Sequence, residues 1–531
     1  MHRVFVNLFL VFSTMVFTLH VARAQAPSSE QVDTSVVRKI WEEGTERSQV
    51  MDILHYLTDV CGPRLTGSPQ YMKAATWSMS KLRAWGVSNV HLDGWGPFGR
   101  SWTLKRFNAQ VLSPDVFPLL AYPRAWSPGT KGTVQGDAIF FDATTDSALQ
   151  TFRGRLRGKF VLMEDARQLQ PQFEPRARRF SDSTLLEMAN ADYSPLRRFR
   201  RGEMTPEARA NAMLALKKLQ MMVDEGAAAL LAPSRADGGV IFVLQAAVPT
   251  HPDTPFTRRP QPWRVDAPPT VPQVAVAAEH YNRLVRLLKR GERVRIEMTL
   301  EVSFPRADSA YNVIGEIPGS DLADEVVMIG AHLDSWHVGT GATDNATGSA
   351  VCLEAMRILK ALDLKPRRTI RIGLWAGEEQ GLLGSQAYVR KHFGWQNDTT
   401  QAPTLTPQGE KFCVYFNDDN GTGRFRGVYL QGNEAARPIF RRWLTAIGDP
   451  TAQTLTLRST GSTDHVSFDR IGLPAFQFIQ DQIEYSTLTH HSTMDVADRV
   501  VPKDLQQSAV IMAIFAYNAA MRDQPIPRRP R

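Results

Sequence analysis

Apolar residues recur at helical spacing over 36–58 and again from Tyr71 to about Trp85, with the turn-rich CGPRLTGSP (61–69) between. Pro- and Gly-rich sequence near Ser127 marks a boundary. Between about 128 and 303 the pattern changes to short apolar runs, GKFVLMED (158–165), AAALLAP (227–233) and VRIEMTLEV (294–302), with an Arg-rich interruption between the first two. From Asn312 strands and helices alternate. EVVMIG (325–330) precedes a helix at 348–362, and TIRIGLWAG (369–377) precedes one at 381–392. KFCVYFND (411–418), LPAFQFIQ (473–480) and a terminal helix from Lys503 complete the series. This alternation predicts an α/β sandwich with a mixed, largely parallel central sheet, plus a β-rich inserted lobe. Residues 25–127 and 304–531 would form one domain and 128–303 the insert.

The first 24 residues differ from the rest. A short basic start (His2, Arg3) leads into an apolar run from Val4 to Val21 and then Ala22-Arg23-Ala24, the pattern of a cleaved signal peptide. The expectation is a secreted or periplasmic protein beginning near Gln25, with no membrane attachment after cleavage; a retained anchor is the alternative.

Composition alters this picture little. At 531 residues, 43% hydrophobic and 22% charged, the chain has enough apolar surface for more than one core. The net charge of +8 becomes +6 without the leader, because Arg3 and Arg23 leave and no acid does. The basic runs RARRF (176–180), RRFRR (197–201) and RRPR (528–531) carry no aromatic-interleaved signature. They read as a solvated face, and nucleic acid is excluded as a partner. Cys61, Cys352 and Cys413 are too widely spaced for a disulfide framework and read as buried thiols, one pairing staying open in an oxidising compartment.

The chemistry lies at the predicted strand ends. His332 and Asp334 follow one strand, Glu378 and Glu379 the next, and Asp418 and Asp419 end a third. In such sheets, loops at the C-terminal ends of strands converge on one rim. Imidazole and carboxylate suit zinc, and two adjacent carboxylates repel unless a cation lies between them. Asp334 is placed to orient the His332 ring. Asp344, in GATDNATGSA, would by itself read as a turn or capping residue. His490 and His491 open a late loop, with Asp495 four residues on.

Taken together, GPRLTGSP, AHLDS, TDNATGSA, LWAGEEQGLLGS, FNDDNGTG, GSTDHVSF and THHSTMD resemble the secreted co-catalytic zinc exopeptidases, which include bacterial zinc aminopeptidases, carboxypeptidase Q and glutamate carboxypeptidase II. Residues 128–303 resemble, more loosely, the protease-associated domain inserted in many of them. The resemblance implies two Zn2+ ions bridged by Asp344, one also held by His332 and Asp419, the other by Glu379 and His491. Glu378 would be the general base for a hydroxide shared by the two ions. His490 would stand where relatives carry a tyrosine that steadies the intermediate, and the Asp344–Asn345 peptide would be cis. The implied partner is a peptide substrate, with a homodimer left open. Relatives that cut acidic dipeptides place arginines after the segment matching 461–474. Here Phe476 and Phe478 stand instead, so an aminopeptidase is slightly preferred to a carboxypeptidase or dipeptidase, with Arg424 and Arg458 as candidate carboxylate anchors. The rival readings are a single-zinc glutaminyl cyclase and a non-catalytic receptor on the same scaffold.

Overall fold

The computed structural model describes residues 30–194, 204–397, 400 and 402–529. The leader (1–24) and the RRFRR run (197–201) lie outside them. Both large sheets belong to the unit Val32–Arg531.

The first sheet contains β1 (Ser88–Trp95), β2 (Ala310–Ile317), β3 (Leu322–His332), β4 (Arg368–Trp375), β5 (Phe412–Asn417), β6 (Phe425–Tyr429), β7 (Thr454–Thr456) and β8 (Ala475–Gln480). Their order across the sheet is β1-β2-β4-β3-β5-β8-β6-β7. The β4-β3-β5-β8 centre is parallel, and β1, β2 and β6 are joined to it by antiparallel pairings. Along β3, Val327, Ile329 and Ala331 enter the core on one face, and Val326 and Met328 that on the other. A strand apolar on both faces needs cover on both sides. Helices Thr34–Glu46, Thr347–Ala361, Arg437–Ile447 and Pro502–Met521 supply it on one side. Tyr388, Phe393 and Phe468 supply it on the other.

The single helix expected over 36–58 is broken into Thr34–Glu46 and Val50–His55. The second start is anchored from outside, since the Gln49 N–H donates to buried Glu354. Among the described residues no helix is long and apolar enough to cross a membrane. The apolar terminal helix is instead buried in the core. All three cysteines are free and buried.

A second eight-stranded sheet runs, in spatial order, through Phe117–Pro118, Thr103–Ser113, Arg295–Ser303, Thr133–Phe140, Phe160–Leu162, Ala229–Pro233, Gln273–Val276 and Ala121–Pro123. It therefore begins at Thr103, ahead of the expected division at 127/128. Thr103–Ser113 pairs with Arg295–Ser303 along its whole length, and buried Ser127 accepts the Gln273 N–H at 2.7 Å. The Pro-Gly stretch at 127 is thus a turn inside this lobe.

The basic run 176–180 stays largely solvent-exposed, but it also contacts the first lobe. Arg179 donates to buried Asp481 and Asp504 at 2.8 and 2.6 Å, and Arg178 and Ile483 exchange backbone hydrogen bonds. The run docks the second lobe onto the first.

The lobes also share a core of Leu65, Phe98, Trp126, Ile241, Val243, Trp263 and Trp336. Beside it, His337 is fully enclosed with its Nε2 2.7 Å from the Pro123 carbonyl. Burial pushes this imidazole down to about 4 from an ordinary 6.5. The unfolded chain takes up the proton near 6.5 and the folded chain only near 4, so the stability present above pH 6.5 is lost as pH falls through that window. His337→Gln is expected to remove part of this slope, on the order of 3 kcal/mol between pH 7 and 4. Urea unfolding of both proteins across that range checks it; parallel pH profiles would refute it.

Candidate metal centre

The centre is assembled from the ends of three parallel strands and two loops. His332 is the last residue of β3, Glu378 and Glu379 follow β4, and Asp418 and Asp419 follow β5. Asp344 comes from the turn before helix Thr347–Ala361, and His491 from the loop after Tyr485–Thr489.

Asp344 is central. One of its oxygens lies 3.2 Å from His332 Nε2 and the other 3.0 Å from His491 Nε2. Around the first histidine, Asp419 Oδ1 is at 3.4 Å; around the second, Glu379 Oε2 is at 3.1 Å. Glu378 Oε2 stands 4.0 Å from His332 Nε2. His490 is looser, its Nε2 3.7 Å from Asp344. Asp418 is buried, and neither of its oxygens makes a hydrogen bond. The structure thus brings Asp419 and His491 to the centre ahead of their neighbours in sequence.

Asp344 does not cap the helix; the neighbouring Asn345 Oδ1 accepts the Gly348 N–H in its first turn at 2.9 Å. The Asp344–Asn345 peptide is cis, as the resemblance implies. Gly348 permits the helix to come this close, because a Cβ there would meet the Asp418 carbonyl at 2.2 Å.

Burial disfavours charge throughout the cluster, and neighbouring charges decide the outcome. Burial alone would lower His332, but Asp419, Glu378, Asp334 and Asp344 hold it well above its ordinary value. Burial likewise opposes His491, yet Glu379 and Asp344 carry it up to about 10. Asp344 lies well below the carboxylate range despite burial, because both histidines face it. Burial, then repulsion from Asp344, pushes Glu379 up to about 7. Glu378 stands well above its ordinary value, first through burial.

Asp334 works differently from expectation. His332 Nδ1 is 2.9 Å from the backbone carbonyl of Asp334, whereas the nearer carboxylate oxygen is at 3.6 Å. The carboxylate instead accepts the N–H groups of Glu378 and Glu379 at 3.3 and 3.4 Å and the Thr66 hydroxyl at 2.9 Å. It positions the loop that carries both glutamates.

Sequence reasoning assigned no role to Arg64 and Asp495, which lie beneath the centre. Arg64, fully buried in GPRLTGSP, donates to the carbonyls of Leu57, Gly62, Leu333, Thr340 and Gly341. Gly341 makes room for it; a Cβ there would lie 2.3 Å from Ser335. Asp495 accepts the N–H and hydroxyl of Thr343 at 2.6 and 2.8 Å, fixing the turn that holds Asp344. The available signal was an arginine inside an otherwise apolar, Pro-Gly turn.

The donors present suit zinc. His332 Nε2, Asp344 Oδ2, Glu379 Oε1 and Asp419 Oδ1 are buried and make no hydrogen bond. Such atoms are costly unless a ligand takes them. Two imidazoles and three carboxylates are the zinc donor types.

A cluster of this kind, at the strand ends of a mixed α/β sheet, defines a zinc-dependent metallo-exopeptidase. Residues 312–516 match the family model described as "Peptidase family M28". The chain is similar to carboxypeptidase Q of Mus musculus, 26% identical over 487 residues, covering 91% of this chain and 88% of the mouse protein. The solved structure of a peptidase M28 precursor from Shewanella amazonensis SB2B is 24% identical with a TM-score of 0.64, covering 94% of this chain and 99% of that one. A zinc aminopeptidase from Bacillus subtilis is 18% identical with a TM-score of 0.53, covering 89% of this chain and 95% of that one. These two structures share the fold.

Asp334→Ala is expected to free the Glu378 and Glu379 amides and strand the Thr66 hydroxyl, costing about 1–3 kcal/mol. Deuterium uptake by the peptide spanning 376–382 should rise in the variant. Unchanged uptake would refute the positioning role.

Proposed function

We propose that the chain is an exported exopeptidase that holds two zinc ions and hydrolyses the terminal bond of short peptides. The observation that carries this reading is the division of Asp344 between two histidines, each with a further carboxylate beside it. One ion would be held by His332, Asp344 and Asp419, the other by His491, Asp344 and Glu379. Bound zinc supplies Lewis acidity, acidifying water and polarising a carbonyl.

The protein's own part is proton handling and orientation. Glu378 lines the cleft, is not needed as a donor to either ion, and has its affinity for protons raised by burial. It takes a proton from the attacking water and returns it to the leaving amine. Asp334 keeps its loop in place. His490, whose imidazole burial holds below its ordinary value, stands beside Asp344 as a neutral donor to the developing oxyanion.

The cleft of about 2690 Å3 is walled on one side by second-lobe residues, Arg258 and Trp263 among them, which would restrict access to short substrates. We infer that the end of the peptide it takes is the carboxyl end. Phe476 and Phe478 are buried core residues and carry no specificity. Arg424 and Arg458 are paired with Asp504 and Glu187. Arg258 and Arg470, however, line the cleft without a carboxylate partner among the described residues. Unpaired cations in a cleft favour a free carboxylate, as does the likeness to carboxypeptidase Q. The aminopeptidase reading remains the alternative, supported by the shared fold of zinc aminopeptidases.

Glu378→Gln is expected to keep both zinc ions and to lower kcat by about 100- to 10,000-fold. Metal analysis alongside peptide turnover measures this, and near-normal turnover would remove Glu378 from its role. Chelation should abolish turnover in the native enzyme and added zinc restore it.

Peptides blocked at one end separate the two readings. Hydrolysis of N-acetylated but not C-amidated peptides is expected; the reverse pattern would establish an aminopeptidase. N-terminal sequencing of the mature protein, expected to begin near Gln25, checks export.

A further inference from the structure

The second lobe reaches the metal centre without giving it a donor atom. Ile241–Val243 runs antiparallel to the loop that carries His491. The Val243 N–H donates to the His491 carbonyl at 3.1 Å, the Thr493 N–H to the Ile241 carbonyl at 3.0 Å, and the Ile241 N–H to Thr493 Oγ1 at 3.2 Å. Phe242 forms a bridge with Ser492. His491 itself has φ +59°, a left-handed conformation uncommon outside glycine.

The two histidines of the centre are oriented differently. A metal-binding imidazole normally donates its second nitrogen to an oxygen, which fixes the ring. His332 follows this rule through the Asp334 carbonyl. His491 Nδ1 has no hydrogen-bond partner among the described residues. Rings surround it instead: Phe242 at 5.8 Å, Trp336 at 6.0 Å and His490 at 3.7 Å between centroids. Phe242 is in turn steadied by the Arg235 guanidinium, 3.2 Å from its ring centroid.

We propose that Phe242, with the strand that carries it, is the positioning residue for His491, so that the second lobe sets the zinc affinity of the His491, Asp344 and Glu379 side of the centre. The inference rests on the reading of His491 as a zinc ligand. Ring packing orients the imidazole, and the Val243 contact holds the backbone that aims it. Phe242 is half-buried, so its truncation removes less packing than that of a core residue.

The test is zinc affinity by chelator competition on the full chain, with turnover measured at low and saturating zinc. Phe242→Ala should weaken one of the two zinc ions about 10- to 100-fold, leave the other unchanged, and regain turnover when zinc is added. Phe242→Tyr, which keeps the ring, should bind both ions as the native protein does. Phe173→Ala, at a residue 88% exposed, serves as a neutral control. The melting temperature of the metal-free proteins monitors folding.

Two tight ions in Phe242→Ala would overturn the inference and leave the zinc reading standing. Equal weakening of both ions with a lowered melting temperature would also overturn it, since that is general destabilisation. A native protein that binds no second zinc would overturn the zinc reading and the inference with it.

Discussion

The crowding of carboxylates at one rim is the constraint on which the rest depends. Glu378, Glu379, Asp344, Asp419 and Asp464 meet around His332 where little water can screen them, and burial pushes Asp464 up to about 8. Such a group is tolerable only with cations among its members. Two histidines partly answer the need, and divalent ions would answer it fully. Of the acids outside the donor set, Asp334 is quieted by the amides of the glutamate loop and Asp495 by Thr343, whereas neither Asp418 nor Asp464 accepts a hydrogen bond on its carboxylate. The surrounding loops are therefore organised as hydrogen-bond donors facing inward.

The parallel centre of the first sheet explains why this crowding occurs where it does. β3, β4 and β5 run side by side in one direction, so residues just past their ends share a rim although up to 87 positions separate His332 from Asp419 in the chain. The second lobe is bound to this rim by a shared tryptophan-rich core, by Arg179 on two buried aspartates, and by the strand that grips the His491 loop. It is a wall of the centre as well as a neighbour of it.

Much of this was legible in the sequence, because apolar runs capped by His, Glu or Asp mark strand ends whatever the tertiary context. The parallel strands and the terminal helix follow from local pattern, whereas the choice of Asp419 and His491 rests on the family resemblance alone. Other features depend on partners far away in sequence. Thr103–Ser113 has no mark of the second sheet until Arg295–Ser303 is beside it. Arg179 looks like any surface arginine until Asp481 and Asp504 are placed. The Asp334 carboxylate does not orient His332 as its spacing suggests, since the backbone carbonyl of the same residue competes for the imidazole and lies closer.

Arg64 bears on how the protein is made. Its guanidinium ties the chain at 64 to carbonyls at 333, 340 and 341, some 270 positions later, and the second histidine arrives only at 491. A ribosome-bound chain therefore carries this arginine through most of synthesis with its final acceptors still unmade. The full set of side chains at the centre exists only after the whole second lobe and nearly all of the first have been made, and a chain stopped short of residue 491 lacks one of the two histidines that face Asp344.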